Sequence, residues 1–358
     1  MSDLLYLYVD GKVHSYWTEA TIARSIERGA HSFNLTLTDS FEEASQTSAR
    51  TIKTDQAVEI FINKEKITSG YIDDVNPSYN AKTHTLNVVG RSKVSDLIAS
   101  TTEGKQFKAG MRLRQIASAC CLPFGIDVIV DPSASSAANE PMKADHMLDL
   151  GQPIWEFLEE LARIKAVLLV SDENGNLVIT RAGSSLSEVA LELGKNIKSA
   201  SGTFSSRNLF SEYTVCAQQA NNPLALLDSK AKTQPKGTIK VLTSRHKPSV
   251  ISSDNPTDSA GCKARALWQK NVYESRAETV VYTVQGWRQK PGGALWNPNL
   301  LVPVKDALMD WNDERLIVET RIMLGEKGST TELLVMPKNA FDLIAEEEKA
   351  NESLGFVL

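Results

Sequence analysis

The chain has 358 residues, of which 42% are hydrophobic and 23% charged, with a formal net charge of −5. That length implies two or three domains, and that balance is the composition of a soluble globular protein rather than of a chain built to grip nucleic acid. The four cysteines (Cys120, Cys121, Cys216 and Cys262) show neither C-x-x-C spacing nor a disulfide framework, so they read as small buried residues in a reducing compartment.

Leu5–Val9 and Lys12–Trp17 flank Asp10-Gly11, a pair suited to the positive backbone angles of a tight hairpin turn. The opening Met1–Tyr6 has no basic stretch and is not expected to be a signal peptide. Ser32–Thr38 and Ala57–Asn63 alternate, which puts Phe33, Leu35 and Leu37, then Val58, Ile60 and Ile62, on one face each. Ile67–Val75 and Thr83–Val89 read as two more strands, with Asn76–Lys82 as the turn between them. A short helix with Val94, Leu97 and Ile98 follows Gly90-Arg91. About six strands with no long helix among them favour a small antiparallel barrel or sandwich, which leaves few exposed edges.

The period then changes. Met111–Cys121 carries Leu113, Ile116, Ala117, Cys120 and Cys121 at helical spacing and stops at Pro123 and Gly125. Ile126–Val130 suits a short strand and Ser133–Asp145 a loop. A second helix starts near Pro153 with a stripe of Ile154, Leu158, Leu161 and Ala162. Val167–Val170 and Leu177–Thr180 form a hairpin around Asp172–Asn176. Leu209–Gln218 alternates again, Asn221–Pro248 reads as a long connection, and Asp254-Asn255-Pro256 suits a helix start. Ala260, Ala264, Leu267, Trp268 and Val272 would stripe that helix. Thr279–Val284, then Arg315–Leu324 and Thr331–Met336 around Glu326–Ser329, are the last strands. Residues 346–358 form an acidic tail.

No pattern is catalytic. Asp172–Gly175 lacks the Gly and Glu that a calcium loop needs at its sixth and twelfth places and reads as an Asn-Gly turn. Phosphate loops, nucleophile elbows and paired metal-binding histidines are missing. Asp73, Asp74, Glu156, Glu159 and Glu160 read as solvated charge, although two carboxylates facing across a cleft would make a glycosidase. Trp287 and Trp296 flank Pro291-Gly292-Gly293 and could stack on sugars, but packing or a subunit contact is the preferred role.

Several stretches are worded more specifically. Gly70-Tyr71-Ile72-Asp73, Val75, Pro77 and Tyr79, followed by Val88-Val89-Gly90-Arg91-Ser92-Lys93, resemble a segment of phage contractile-tail baseplate hub proteins, the Mu-type tail protein P and late-control protein D relatives. Phe107–Phe124, Gln152–Thr180 (with Trp155, Phe157, Leu158 and Asp172), Leu191–Ala217, Gly286–Asn299 and Met336–Phe341 resemble further blocks of that family in the same order.

The resemblance implies an α+β, mainly β fold with two small antiparallel, tail-tube-like β-barrel domains, each accompanied by an α+β unit. The expected boundaries are 1–100 for the first barrel and 101–183 for an α+β domain. The second barrel takes 184–222 and 286–345, with 223–285 as an inserted α+β unit. It implies a non-enzymatic structural hub in the virion tail baseplate, made in the host bacterial cytoplasm. Three copies would form a pseudo-six-fold ring adapting the tail tube to a trimeric cell-puncturing spike. Partners would be two further copies, the spike, and tail-tube and baseplate proteins. DNA would pass through the lumen without sequence-specific binding. No catalytic residue, cofactor, metal or membrane span is implied. A peptidoglycan or polysaccharide hydrolase and a carbohydrate-binding module are the alternatives. Trp287, Leu295 and Trp296 are the expected exposed subunit-interface patch. Arg91 is expected to fix the exit of its strand by holding a carboxylate or backbone carbonyls, and Trp155 to be a core residue rather than a ligand platform.

Overall fold

The structure, a computed structural model, describes residues 3–39, 52–80, 84–183, 185–217, 235–242, 245–253 and 259–343. The first β unit holds Leu5–Val9, Lys12–His14, Glu19–Ser25, Ser32–Asp39, Ala57–Ile62, Glu65–Tyr79 and His84–Ser92. Asp10 and Gly11 both take positive φ, 48° and 76°, and bring Val9 opposite Lys12. Alternation does the rest: Leu5, Leu7, Phe33, Leu35, Val58, Ile60 and Ile62 all point into one core.

Two expectations change here. Asn76–Tyr79 is strand rather than turn, paired with His84–Asn87. Pro77 is tolerated because Glu65–Tyr79 is paired on both sides only as far as Tyr71, so its far half is an edge. The strand Glu19–Ser25 was not expected at all, and it is central.

The second β unit consists of Ile197–Phe204, Glu278–Gln285, Leu300–Lys305, Glu314–Gly325 and Gly328–Pro337, helped by the short strands Ser185–Leu186 and Leu191–Glu192. Its core gathers Leu191, Val280, Tyr282, Val284, Val302, Val304, Ile317, Leu333 and Val335. Glu19–Ser25 pairs antiparallel with Glu314–Gly325, setting Ile22 opposite Ile322. The two β units are therefore one continuous fourteen-stranded sheet. Among the described residues no ladder closes either strand set into a full ring. The mainly β, α+β class stands.

Between the β units lies an α+β unit. Leu113–Cys121 and Ile154–Ile164 are its main helices, and Leu168–Ser171, Leu177–Thr180 and Val128–Val130 form its sheet. The first helix ends through a 3-10 turn, Leu122–Phe124, and Gly125 at φ 62°. Pro153 stands at the N-cap of the second, one place earlier than the first helical turn. Within the expected Ser133–Asp145 loop, Pro132–Ala134 and Ser135–Asn139 are helical, with Ala134, Ala137 and Ala138 buried.

A second small sheet sets Glu212–Ala217 between Lys236–Lys240 and Pro248–Ser253, covered by the helix Ser259–Arg276. Glu212–Ala217, expected in the second barrel, thus belongs to this inserted unit. Glu278–Gln285, expected in the inserted unit, belongs to the large sheet. Lys236–Lys240 is a strand inside the expected long connection. The helix start expected at Asp254–Pro256 and the acidic tail lie outside the described residues.

The helix also turns a different face inward than its apolar spacing suggested. Cys262 and Ala266 are fully buried, and of the expected stripe only Val272 is buried, while Ala260, Ala264 and Leu267 are exposed and Trp268 half-buried. The reason is close approach: a Cβ on Gly237 would stand 2.1 Å from the backbone nitrogen of Lys263. Only small residues fit on the helix face pressed that near a strand. Trp268 instead turns to the chain's end, donating its indole N–H to the Asp342 carbonyl.

Candidate functional site: the segment spanning both β units

Gln285 ends a strand of the second unit, and Leu300 begins the next. The segment between them crosses to the first unit and returns. Gly286 at φ 77° turns the chain, a conformation that favours glycine. Trp287 then enters the first unit's core, where it is 1% exposed and donates its indole N–H to the Met323 carbonyl at 2.8 Å. Leu295 joins the same core, whereas Trp296 packs in the core of the second. Burial of all three fits the packing role preferred for the tryptophans and overturns the exposed subunit-interface patch, and it leaves neither indole face free to stack on a sugar.

Charged groups clamp the same segment. The Arg288 guanidinium lies 3.1 Å from Asp3 and 2.7 Å from Glu65, and it donates to the Gly293 carbonyl at 2.9 Å. Arg24, on the central strand, reaches across to donate from Nη2 to the Trp296 carbonyl at 2.7 Å. Burial pulls the Arg24 pKa down to about 10, opposed by the more distant carboxylate of Glu173. Nearby His31 is fully enclosed, with Nδ1 3.3 Å from the Thr68 hydroxyl. Burial first, and then Arg24, push its pKa down to about 3, so it is neutral.

The α+β unit docks beside this junction. Trp155 is half-buried, packed against the α+β core with one edge of its ring against Gly29 of the first unit. The Ser69 hydroxyl donates to the Glu173 carbonyl at 3.1 Å. Asp172 accepts from the backbone N–H groups of Asn174 and Asn176, at 2.9 and 2.7 Å, and from the Asn176 amide. The loop itself therefore satisfies that carboxylate, as a hairpin turn requires. On the other side, Asn299 donates to the Arg181 carbonyl and accepts from the Gly183 N–H.

Arg91 holds Asp73 with its planar fork, Nε at 2.7 Å and Nη2 at 3.2 Å, so its expected carboxylate partner is present. Burial pushes the Cys120 thiol up to about 11 and Cys121 to about 12, which makes them poor nucleophiles. Glu156 and Glu160 stay exposed on their helix. Among the described residues no three metal-type ligands converge, and no helix is long and apolar enough to cross a membrane.

Two β units are thus fused through one ladder, with an α+β unit docked against both. Residues 5–92 match the N-terminal domain of the Mu phage baseplate assembly protein GpP-like family. Residues 95–181 match the second domain of the baseplate hub protein gp44-like family, and residues 258–344 the fourth domain of the Mu phage baseplate assembly protein GpP. The baseplate hub protein gp44 of Escherichia phage Mu is 29% identical over 99% of this chain and 93% of its own. The crystal structure of the 43 kDa tail protein of prophage MuSo2 from Shewanella oneidensis superposes with a TM-score of 0.82 at 33% identity, over 95% of this chain and all of that one. A tail protein from Neisseria meningitidis shares the fold, with a TM-score of 0.78 at 20% identity over 96% of this chain and 99% of its own. The chain belongs to the Mu-type baseplate hub protein family, and its role is that of a structural hub of the tail baseplate.

Proposed function

We propose that the hub is a homotrimer in the virion tail, a pseudo-six-fold ring that couples the tail tube to a trimeric spike and carries out no chemistry of its own. The observation that supports this most is the Glu19–Ser25 to Glu314–Gly325 ladder. It holds two β units side by side in one chain as a rigid pair, so three chains supply six similar units. Among the described residues the pair leaves open strand edges that include Ile197–Phe204 at one end of the sheet and the far half of Glu65–Tyr79. Ser199–Phe204 is exposed and has no charged or proline residue to discourage pairing. A head-to-tail contact between unlike surfaces closes into a ring when its rotation divides the circle, and closure leaves no edge unsatisfied. Sedimentation equilibrium, with and without the spike protein, tests the reading. A trimer in either condition is expected. A stable dimer or tetramer, or a chain that stays monomeric with the spike present, would overturn it.

A further inference from the structure

A row of buried polar side chains crosses the large sheet where the two β units meet. Arg24 stands directly opposite Thr320 in the Glu19–Ser25 to Glu314–Gly325 ladder, on the face that Ile22 and Ile322 turn inward. On the other side of Arg24, one step beyond the Ala23–Ser32 pair, lies His31. Ser92 follows, its hydroxyl accepting from the His31 backbone N–H at 3.0 Å. All four residues are buried: Thr320 and Ser92 are 0% exposed, His31 4% and Arg24 7%. The guanidinium is the one formal charge in the row, since His31 is neutral.

Two donors in this row stand out. Arg24 Nη2 donates to the Trp296 carbonyl, but Nε, equally buried, has no hydrogen-bond partner. The hydroxyl of Thr320, its cross-strand neighbour, has none either. Arg24 forms no ion pair among the described residues, and Glu173, the carboxylate that acts on it, does so through space from an exposed position. A guanidinium stays charged at neutral pH even here, so the row contains a buried cation with no counter-charge beside it.

Physical chemistry narrows what completes such a cluster. Burying an unpaired charge costs far more than burying an unpaired neutral group. A water can accept from both donors, but it leaves the charge uncompensated. One positive charge calls for a monoanion. An oxyanion would bring further oxygens, and each one buried without a donor costs free energy. A monatomic ion brings none.

We propose that Arg24 Nε and the Thr320 hydroxyl bind a monatomic monovalent anion, chloride being the abundant one, which bridges the two β units at their ladder. Each unit supplies one donor, so the anion helps to hold the rigid pair together, and the strength of the joint depends on the salt around the particle. The inference does not depend on the ring reading, because the site is complete within one chain.

The test uses the full chain. Thermal unfolding is followed while sodium chloride replaces sodium gluconate at constant ionic strength. The midpoint should rise by about two degrees per tenfold increase in chloride once the site begins to fill, and bromide should act alike. Arg24→Met should abolish the dependence. Thr320→Val keeps the charge and the shape and loses only the hydroxyl, so it should need about tenfold more chloride for the same rise. An equal rise in wild type and Arg24→Met would show a general salt effect and overturn the site, as would a wild-type midpoint indifferent to chloride. Thr320→Val titrating like wild type would overturn the bridge between the units. A second measurement decides the matter even if Arg24→Met fails to fold. Crystals of the wild-type chain grown in sodium bromide should show anomalous scattering from one bromide within hydrogen-bond distance of Arg24 Nε and Thr320 Oγ1. A water or the Glu173 carboxylate at that position would refute the proposal. So would a bromide peak without the chloride-dependent midpoint, the mark of an adventitious ion only.

Discussion

The Trp155 ring occupies the space in which a side chain at Gly29 would stand: a Cβ there would lie 2.3 Å from Cζ2 of the indole. The helix Ile154–Ile164 is thereby keyed to the first β unit by one aromatic and one missing side chain. Gly29→Ala should cost about 1–3 kcal/mol through overpacking. Trp155→Ala should cost about 2–3 kcal/mol, below the roughly 3–5 kcal/mol of a fully buried aromatic, because the ring is only half-buried. Chemical denaturation reads both. An unchanged midpoint for Gly29→Ala would mean that the indole swings aside freely.

Arg91 and Asp73 form a well-aligned two-bond pair, but their side chains are 46% and 32% exposed. Solvent screening then limits the pair to about 1 kcal/mol or less. Arg91→Lys keeps the charge and loses the fork, so a melting temperature lower by only a degree or two is expected for a chain of this size. A loss of five degrees or more, by about the same scale, would show that the pair governs more than its own strand exit.

His31 gives the pH dependence a sign. Its folded pKa, lowered to about 3, lies below the ordinary value of 6.5, so below pH 6.5 the unfolded chain binds a proton that the folded chain refuses. Stability is therefore intact above pH 6.5 and is lost progressively as pH falls from there towards 3. His31→Gln should flatten the melting temperature over that window relative to wild type. Arg24→Met should raise the His31 pKa in an NMR titration, since the guanidinium is one cause of its depression. No movement of that resonance would remove Arg24 from the account.

How much of this was legible in the sequence depends on where each residue's partner lies. Asp10-Gly11, the Val58–Ile60–Ile62 alternation and the Ile154–Leu161 stripe report local geometry, and each formed in place. Glu19–Ser25 did not announce itself. Ile22 is its only large apolar side chain, and its inward neighbour Arg24 is a charge whose partner carbonyl belongs to Trp296. Trp287 likewise belongs to a core built almost entirely from residues before 90. The family resemblance pointed to the right architecture, but the expected ring suggested an exposed patch at Gly286–Asn299, and only the tertiary fold shows it buried. Cys262 and Ala266 were overlooked for a third reason. A helix that must approach a strand closely buries its small residues, and a search for large apolar ones finds the wrong face.

Trp287 should behave as a core residue of a unit to which it does not belong in sequence. Trp287→Ala removes a fully buried indole and its bond to the Met323 carbonyl, and a loss of about 3–5 kcal/mol is expected. Trp287→Phe should recover most of the packing, leaving a deficit of roughly 1–2 kcal/mol for the unpaired carbonyl. Equal losses for the two variants would assign the whole effect to the hydrogen bond.

The ladder between Glu19–Ser25 and Glu314–Gly325 makes a stronger claim, because it binds the fates of two units whose sequences lie almost 300 residues apart. Ile22 and Ile322 face each other across it, both buried in the first core, and Arg24 bonds the segment that returns from that core. With a shared ladder, a shared crossing segment and few polar gaps, the two units should unfold as one cooperative block. Ala23→Pro tests this. Its half-buried side chain points away from the first core, but proline removes a backbone donor in a central strand, where pairing exists on both sides. The direct cost is about 1–3 kcal/mol, from the carbonyl left without its partner. The informative quantity is cooperativity. Wild type should show one block of amide exchange spanning Ser32–Asp39 and Gly328–Pro337 with a common opening free energy. Ala23→Pro should split that block, with the second unit opening independently of the first. If the two strands already exchange as separate units in the wild-type chain, the ladder is only a contact, and the rigid pairing on which the ring depends must come from elsewhere.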